Sequence, residues 1–147
     1  MSTIKVDTYL TRGGASEIAI DKLKGASSAG SMTVVGEGGS TTTNLQQGLA
    51  KVWSNQTTGT ANDSHNSSGI TDNGTGDFTV NFTNAMSSAN YSSTLGGADA
   101  NTNANVAVAM NNNAGYATGS INYFLCSDDT GGTDIGPTCC TVHGDLA

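Results

Sequence analysis

A chain of 147 residues predicts one compact domain with an appendage. Only 35% of the residues are hydrophobic and 5% are aromatic, which leaves few large apolar side chains for a core. All five basic residues lie within the first 51 positions, and residues 52–147 carry eight acids and no base, which excludes a basic nucleic-acid-binding face there. No stretch approaches the roughly 18 apolar residues of a membrane span. Burial of so little apolar surface offsets only poorly the conformational entropy that the chain loses on folding. The composition therefore favours assembly with further copies of the chain.

The N-terminal part alternates apolar and polar residues. This pattern predicts a strand from Thr3 to Leu10 and a second, short strand from Glu17 to Leu23. Residues 1–24 are therefore interpreted as extended strands. Residues 25–43 follow as a linker dominated by Gly, Ser and Thr, with one extended piece at Met32–Val35.

A helix is predicted from Asn44 to Trp53. Asn44 is a suitable N-cap, and Leu45, Leu49 and Val52 recur at the spacing of one helix face. So short a helix is marginal alone, but it would be stable if two or three copies packed their leucines together. We expect residues 44–53 to form the neck of a trimer. The alternative is a lone surface helix docked on its own domain.

The remainder, residues 54–147, has the pattern of an all-β domain. Turn-rich clusters of Gly, Asn, Ser and Asp separate short runs that are typical of strands. The predicted strands are Ser67–Thr71, Phe78–Thr83, Tyr91–Leu95, Val106–Met110, Ser120–Ser127 and Cys139–His143. Their number and spacing predict a mainly β fold, an antiparallel β-sandwich or barrel that forms a C-terminal knob.

The string from Asp72 to Asp77 could be a calcium loop or a chain reversal. An EF-hand loop needs oxygen ligands at its positions 1, 3 and 5, but here positions 3 and 5 are Gly74 and Gly76. Glycines that tolerate positive φ, followed by alternating apolar residues, indicate a hairpin instead. The residues assigned to this structural hairpin are Asp72, Asn73, Gly74, Gly76, Asp77, Phe78, Val80 and Phe82.

Motifs that carry chemistry are not found. His65 and His143 lack the spacing of a zinc site, and the chain has no Gly-x-Ser-x-Gly, Walker A or dinucleotide fingerprint. The odd set of Cys126, Cys139 and Cys140 predicts reduced, half-buried cysteines rather than a disulfide framework. We therefore predict no catalytic residue, no metal and no cofactor.

Several strings resemble one family. The matching strings are "MSTIKVDTYLTRGG" at the start, "GLAKVW" at 48–53, "SGITDNGTGDFTVNFTNAM" at 68–86, "NY" at 90–91 and "TVHGDLA" at 141–147. Together they resemble a module of tail-fibre-like virion proteins of tailed bacteriophages, especially phages of marine and aquatic hosts. This chain departs from that family in being short for a tail fibre, and in carrying polar residues at Asn55-Gln56 and at 63–66.

The resemblance implies a homotrimeric, β-rich fibre or knob without enzymatic activity. It implies that residues 1–24 dock on other virion proteins and that the C-terminal part faces a host cell-surface glycan or protein. Synthesis in the host cytoplasm and incorporation into the virion follow from it, without nucleic acid or membrane insertion. The alternative within the same fold is a capsid decoration or head-fibre protein.

Exposed polar loops are the expected receptor-facing surface, because such side chains hydrogen-bond to and stack on sugars. The loops are Gly96–Asn105, Asn111–Ala117 and Asp128–Pro137. The candidate residues in them are Asn101, Asn103, Asn112, Asn113, Tyr116, Asp128, Asp129 and Asp134. The alternative is that these loops serve solubility alone.

Overall fold

The structure, a computed structural model, describes residues 21–25, 32–98, 106–111, 115–127, 131–132, 134 and 136–147. The predicted strand Thr3–Leu10 lies outside the described residues, as does most of Glu17–Leu23, and residues 21–25 contain no strand.

Antiparallel strands make up most of the described chain. The strands are β1 (Thr33–Val35), β2 (Thr42–Asn44), β3 (Ala50–Thr57), β4 (Thr60–His65), β5 (Ser67–Gly74), β6 (Asp77–Phe82), β7 (Ser92–Gly97), β8 (Val106–Met110), β9 (Tyr116–Ala117), β10 (Ser120–Ser127), β11 (Gly131–Gly132) and β12 (Thr138–His143). The helix of the described residues is α1 (Leu45–Gly48). The predicted mainly β, antiparallel fold is confirmed.

Two antiparallel sheets form the body of the protein. One sheet has the order β4-β3-β12-β7, and the other has the order β11-β10-β6-β5, with β8 and β9 also paired to β10. The chain passes from the first sheet to the second at Asn66, whose φ of 54° reverses direction between β4 and β5. Asparagine adopts this left-handed conformation more readily than most residues do.

Strand alternation builds one core from both sheets. Because successive side chains point to opposite faces, every second residue of β6 is buried, while the residues between them are half-exposed. The buried hydrophobic cluster comprises Val52, Phe78, Val80, Phe82, Met86, Tyr91, Ile121, Tyr123, Leu125, Cys140 and Val142.

Polar side chains complete one end of this core. The buried Gln56 donates through Nε2 to the Tyr123 hydroxyl at 3.0 Å and accepts the Gly59 N–H at 2.6 Å. The Tyr123 hydroxyl also lies 3.1 Å from Thr138 Oγ1, and burial raises the pKa of this hydroxyl above its ordinary value. Buried polar groups cost little when they are hydrogen-bonded, so the polar Asn55-Gln56 step is compatible with a core strand.

The predicted helix from Asn44 to Trp53 is wrong beyond its first turn. It ends at Gly48, and residues from Ala50 onward form β3, which pairs with both β12 and β4. Val52 is 0% exposed in the core, whereas Leu49 is 54% exposed. The helical spacing is overridden because Val52, Ser54 and Gln56 also alternate as strand residues that face the core.

The predicted linker contains a hairpin of β1 and β2. Val34 pairs with Thr43 and Val35 with Thr42, and both valines are more than half exposed, at 52% and 57%. No residue of either strand is buried. A two-stranded hairpin with exposed valines lacks the packing that normally stabilises such a unit in water.

The body has two ends that differ in their connections. Ala50, where β3 begins, is the register partner of His143, where β12 ends, and this end is called the near end. The opposite, far end carries the turns at Thr58-Gly59 and Thr75-Gly76, and a Cβ placed on Gly59 would lie 3.1 Å from Asp72 Cβ.

Candidate functional site

The segment 144–147 is fixed against the loop between β6 and β7 at the near end. The Ser87 N–H donates to the Asp145 carbonyl at 2.8 Å, and the Ala147 N–H donates to the Ala85 carbonyl at 3.0 Å. These backbone bonds hold both segments in a defined position.

A close approach at Gly144 supports this arrangement. A Cβ at Gly144 would lie 2.7 Å from Met86 Cε and 2.9 Å from Tyr91 Cβ. The methionine tip can move, but the tyrosine Cβ cannot, so the segment approaches the core this closely only with glycine there.

A cavity of about 570 Å³ opens between α1, the loop and segment 144–147. Its polar lining residues are Asn44, Gln46, Gln47, Lys51, Ser87 and Asp145, and Leu146 forms an apolar part of the wall. The helix turn is fixed because Asn44 Oδ1 accepts the Gln47 N–H at 3.0 Å. Gln47 in turn donates through Nε2 to Asp145 Oδ2 at 3.3 Å, which links α1 to segment 144–147.

Two further cavities adjoin the central one. A cavity of about 290 Å³ shares Gln47, Ser87 and Asp145 with it and extends towards Asn90 and His143. A cavity of about 400 Å³ on the other side shares Lys51 and Leu146 and extends towards His65 and Asn84. We call the three cavities together the C-terminal groove. Amide and hydroxyl side chains dominate its lining.

Two opposite charges line the central cavity without pairing. Lys51 is 9% exposed, and its Nζ donates to the Gln46 carbonyl. Among the described residues, no carboxylate forms an ion pair with Lys51, although Asp145 lines the same cavity. Lys51 is therefore the cation of the central cavity, and Asp145 is its anion.

The string from Asp72 to Phe82 forms the β5–β6 hairpin. Gly74 and Gly76 have φ of 134° and 76°, which other residues rarely adopt, and Asp72 Oδ1 accepts the Gly74 N–H at 3.0 Å. Phe78, Val80 and Phe82 point into the core, as the register of β5 with β6 requires.

Asp77 anchors this hairpin to neighbouring strands. Its carboxylate accepts amide N–H groups from Asn122 at 2.6 Å, from Asn73 at 3.2 Å and from Asn111 at 3.2 Å. Asn122 is 4% exposed, and its Oδ1 has no partner among the described residues. Since both Asp77 oxygens accept from amides, the structure assigns this acid a positioning role within the sheet.

The predicted receptor-facing residues are only partly described. The residues that lie outside the described ones are Asn101, Asn103, Asn112, Asn113, Asp128 and Asp129. Tyr116 is 44% exposed, its hydroxyl lies 3.0 Å from Ser93 Oγ and its ring centroid lies 5.0 Å from that of Tyr91. Asp134 accepts the Gly76 N–H at 2.6 Å and so supports a turn at the far end.

The C-terminal groove has no counterpart among the predicted sites. Its residues come from three segments that are distant in sequence: 44–51, 87–92 and 143–146. One signal was available, because Lys51 is the last basic residue before an acid-rich stretch. The partners of Lys51 could not be inferred without the fold.

In the described part of the chain, no helix has the length and apolar character needed to cross a membrane. Among the same residues, no three His, Cys, Asp or Glu side chains are grouped as metal ligands. Comparison of the chain with protein-family models, with curated proteins and with solved structures gives no match.

Proposed function

We propose that this chain is a non-enzymatic structural protein of a bacteriophage virion, a short homotrimeric tail-fibre or fibre-like protein that contributes to host-surface attachment. The observation that carries the proposal is the division of the described chain into two unlike parts. A β body has its own core, whereas the hairpin before it, β1 and β2, buries none of its residues. A self-sufficient knob preceded by a segment that needs partners suits a subunit of a larger assembly.

The body is proposed to be a β-sandwich knob. Side chains from β3 and β12 of one sheet and from β6 and β10 of the other belong to the same buried cluster. Sandwiches derive their cores from the inner faces of two sheets in this way. The exposed faces carry mainly polar residues, as on β4, where no residue is buried.

The trimer contact is proposed to involve the β1–β2 hairpin. Val34 and Val35 are adjacent in one strand and therefore point to opposite faces of the hairpin. Both faces expose apolar surface, and the sole charged residue between Met32 and Gly48 is Glu37. Copies of this segment can therefore approach each other without strong repulsion. Residues 1–24 are proposed to dock on other virion proteins.

A capsid decoration or head-fibre role is the second candidate. The longest strands of the described body have eight residues, or about 26 Å at roughly 3.3 Å per residue. So short a body has little reach, which suits a protein that lies on a capsid surface.

The location of the chain on the virion tests the proposal. Purified particles would be labelled with an antibody against the body and imaged by electron microscopy, with copy number from quantitative mass spectrometry. A few copies at the tail support the fibre, and many copies on the capsid support decoration. Absence of the chain from purified particles would overturn both.

A further inference from the structure

We infer that the C-terminal groove binds an acidic saccharide. The sugar carboxylate contacts Lys51, and the sugar hydroxyl groups contact Asp145 and the neighbouring amide side chains. The inference rests on the proposed attachment role for its biological meaning, but its chemistry can be tested on the purified chain alone. It places recognition at the near end, whereas Asp134 lies at the far end.

The first step is the charge of Lys51. An ammonium group has three N–H donors, and the described residues provide one acceptor, the Gln46 carbonyl. Lys51 is 9% exposed as a whole residue, and it lines the central cavity, where a ligand can reach it. A ligand carboxylate in the cavity would form a charge-assisted hydrogen bond, which is stronger than one to a neutral acceptor. Lys51 is also the only Lys or Arg in residues 50–147, so it is the one permanently charged cation available to an anion in this part of the sequence.

The second step is the nature of the remaining lining. Asp145 accepts hydrogen bonds and repels a ligand that carries negative charge throughout, such as phosphate. The side chains of Gln47, Asn44 and Ser87 can each donate and accept hydrogen bonds. A sugar hydroxyl also donates and accepts, so these side chains suit it as partners. A uronic acid offers one carboxylate for Lys51 and several hydroxyls for the rest.

The third step is size and shape. The central cavity of about 570 Å³ lies within the range of roughly 300–1,000 Å³ found for small-molecule sites. Leu146 is 43% exposed and gives the apolar face of a sugar ring a surface to contact. The adjoining cavities of about 290 and 400 Å³ continue the groove on both sides, so that it can follow a polysaccharide chain.

The test uses methyl glucuronide, with methyl glucoside as the matched neutral sugar, in NMR titrations of the isotope-labelled full chain. We expect glucuronide to bind at least about tenfold more tightly than glucoside and to shift the amide signals of Gln47, Lys51, Ser87 and Asp145. Lys51→Met should weaken glucuronide binding at least about tenfold and leave glucoside binding unchanged. Lys51→Arg should retain the preference for glucuronide. Asp145→Asn should weaken the binding of glucoside more than that of glucuronide, because it also removes the repulsion between Asp145 and the glucuronide carboxylate.

Lys24→Met is the matched control, because Lys24 is exposed and remote in sequence from the groove. It removes one positive charge and should leave glucuronide binding unchanged. Equal binding of the two sugars by the unaltered chain would overturn the inference. So would unchanged glucuronide binding in Lys51→Met, or displacement of glucuronide by equal concentrations of phosphate, acetate or alanine.

If Lys51→Met does not fold, as judged by its circular dichroism, the sugar comparison on the unaltered chain and Asp145→Asn still decide the matter. The result is separable from the proposed function. A chain found on virions that binds no glucuronide refutes the saccharide site alone, and a chain absent from virions that binds it refutes the virion role alone.

Discussion

Adjacent cysteines have opposite environments in β12. Cys139 is exposed on the outer face, whereas Cys140 is 1% exposed in the core, because neighbouring strand residues point to opposite faces. Burial raises the pKa of the Cys140 thiol to about 12, so that it remains protonated and unreactive. The predicted half-burial holds for Cys126 alone, because Cys139 is exposed and Cys140 is buried.

Stability should fall at alkaline pH. Burial raises the pKa of Cys140 from 9.0 to about 12 and that of Tyr91 from 10.0 to about 12. Because both pKa values are higher in the folded state, their contribution to stability is complete below about pH 9 and declines as pH rises towards 12. Between pH 8 and 10, Cys140 alone should lower the free energy of unfolding by roughly 1.4 kcal/mol.

Urea unfolding of the protein at the two pH values measures this change. Cys140→Ala serves as the control, since without the thiol most of the difference between pH 8 and pH 10 should disappear. An equal loss in both proteins would show that the buried thiol is not its source.

At the scale of elements, Val52 and Leu49 distinguish the strand from the neck helix. Val52→Ala should lower the free energy of unfolding by roughly 1–3 kcal/mol, because Val52 is 0% exposed in the core of β3. Leu49→Ala should change it by less than about 0.5 kcal/mol, since Leu49 is 54% exposed. Urea unfolding of both variants checks this. Equal destabilisation would contradict the strand assignment.

How well sequence predicted each element depended on where its partners lie. The alternation of Phe78, Val80 and Phe82 is local, and it identified β6 and its hairpin from the sequence. β3 was missed because its polar residue Gln56 is stabilised by Tyr123, which lies 67 positions away, and β4 was missed because it buries no residue. A local pattern cannot show that a polar strand residue will find such a partner.

At the scale of the whole molecule, self-association should depend on the β1–β2 hairpin. Val34→Asp with Val35→Asp should convert the proposed trimer to monomers, because charges would replace apolar surface on both faces. Sedimentation velocity measures the change. Thr60→Asp with Thr71→Asp is the matched control at exposed body positions and should leave the trimer intact. A monomeric unaltered protein, or an intact trimer in the valine variant, would contradict this assignment.

The candidate site was harder to predict than the fold, because it exists only in the assembled molecule. The fold class followed from strand periods within single segments. The C-terminal groove needs Lys51 and Asp145, 94 positions apart, to line one cavity, and neither belongs to a recognisable motif.

The position of β12 has a consequence for how the protein forms. β12 lies between β3 and β7, so the last strand along the chain is an inner strand of its sheet. Within that sheet β7 has no other partner, and Ala50 must meet His143 across 93 positions. Since closing so long a loop is slow compared with forming the β5–β6 hairpin, the hairpin can form early, while the nascent chain is still being synthesised. The first sheet closes only after residue 143 has left the ribosome, and until then the strand that carries Val52 exposes its apolar face to chaperones and proteases.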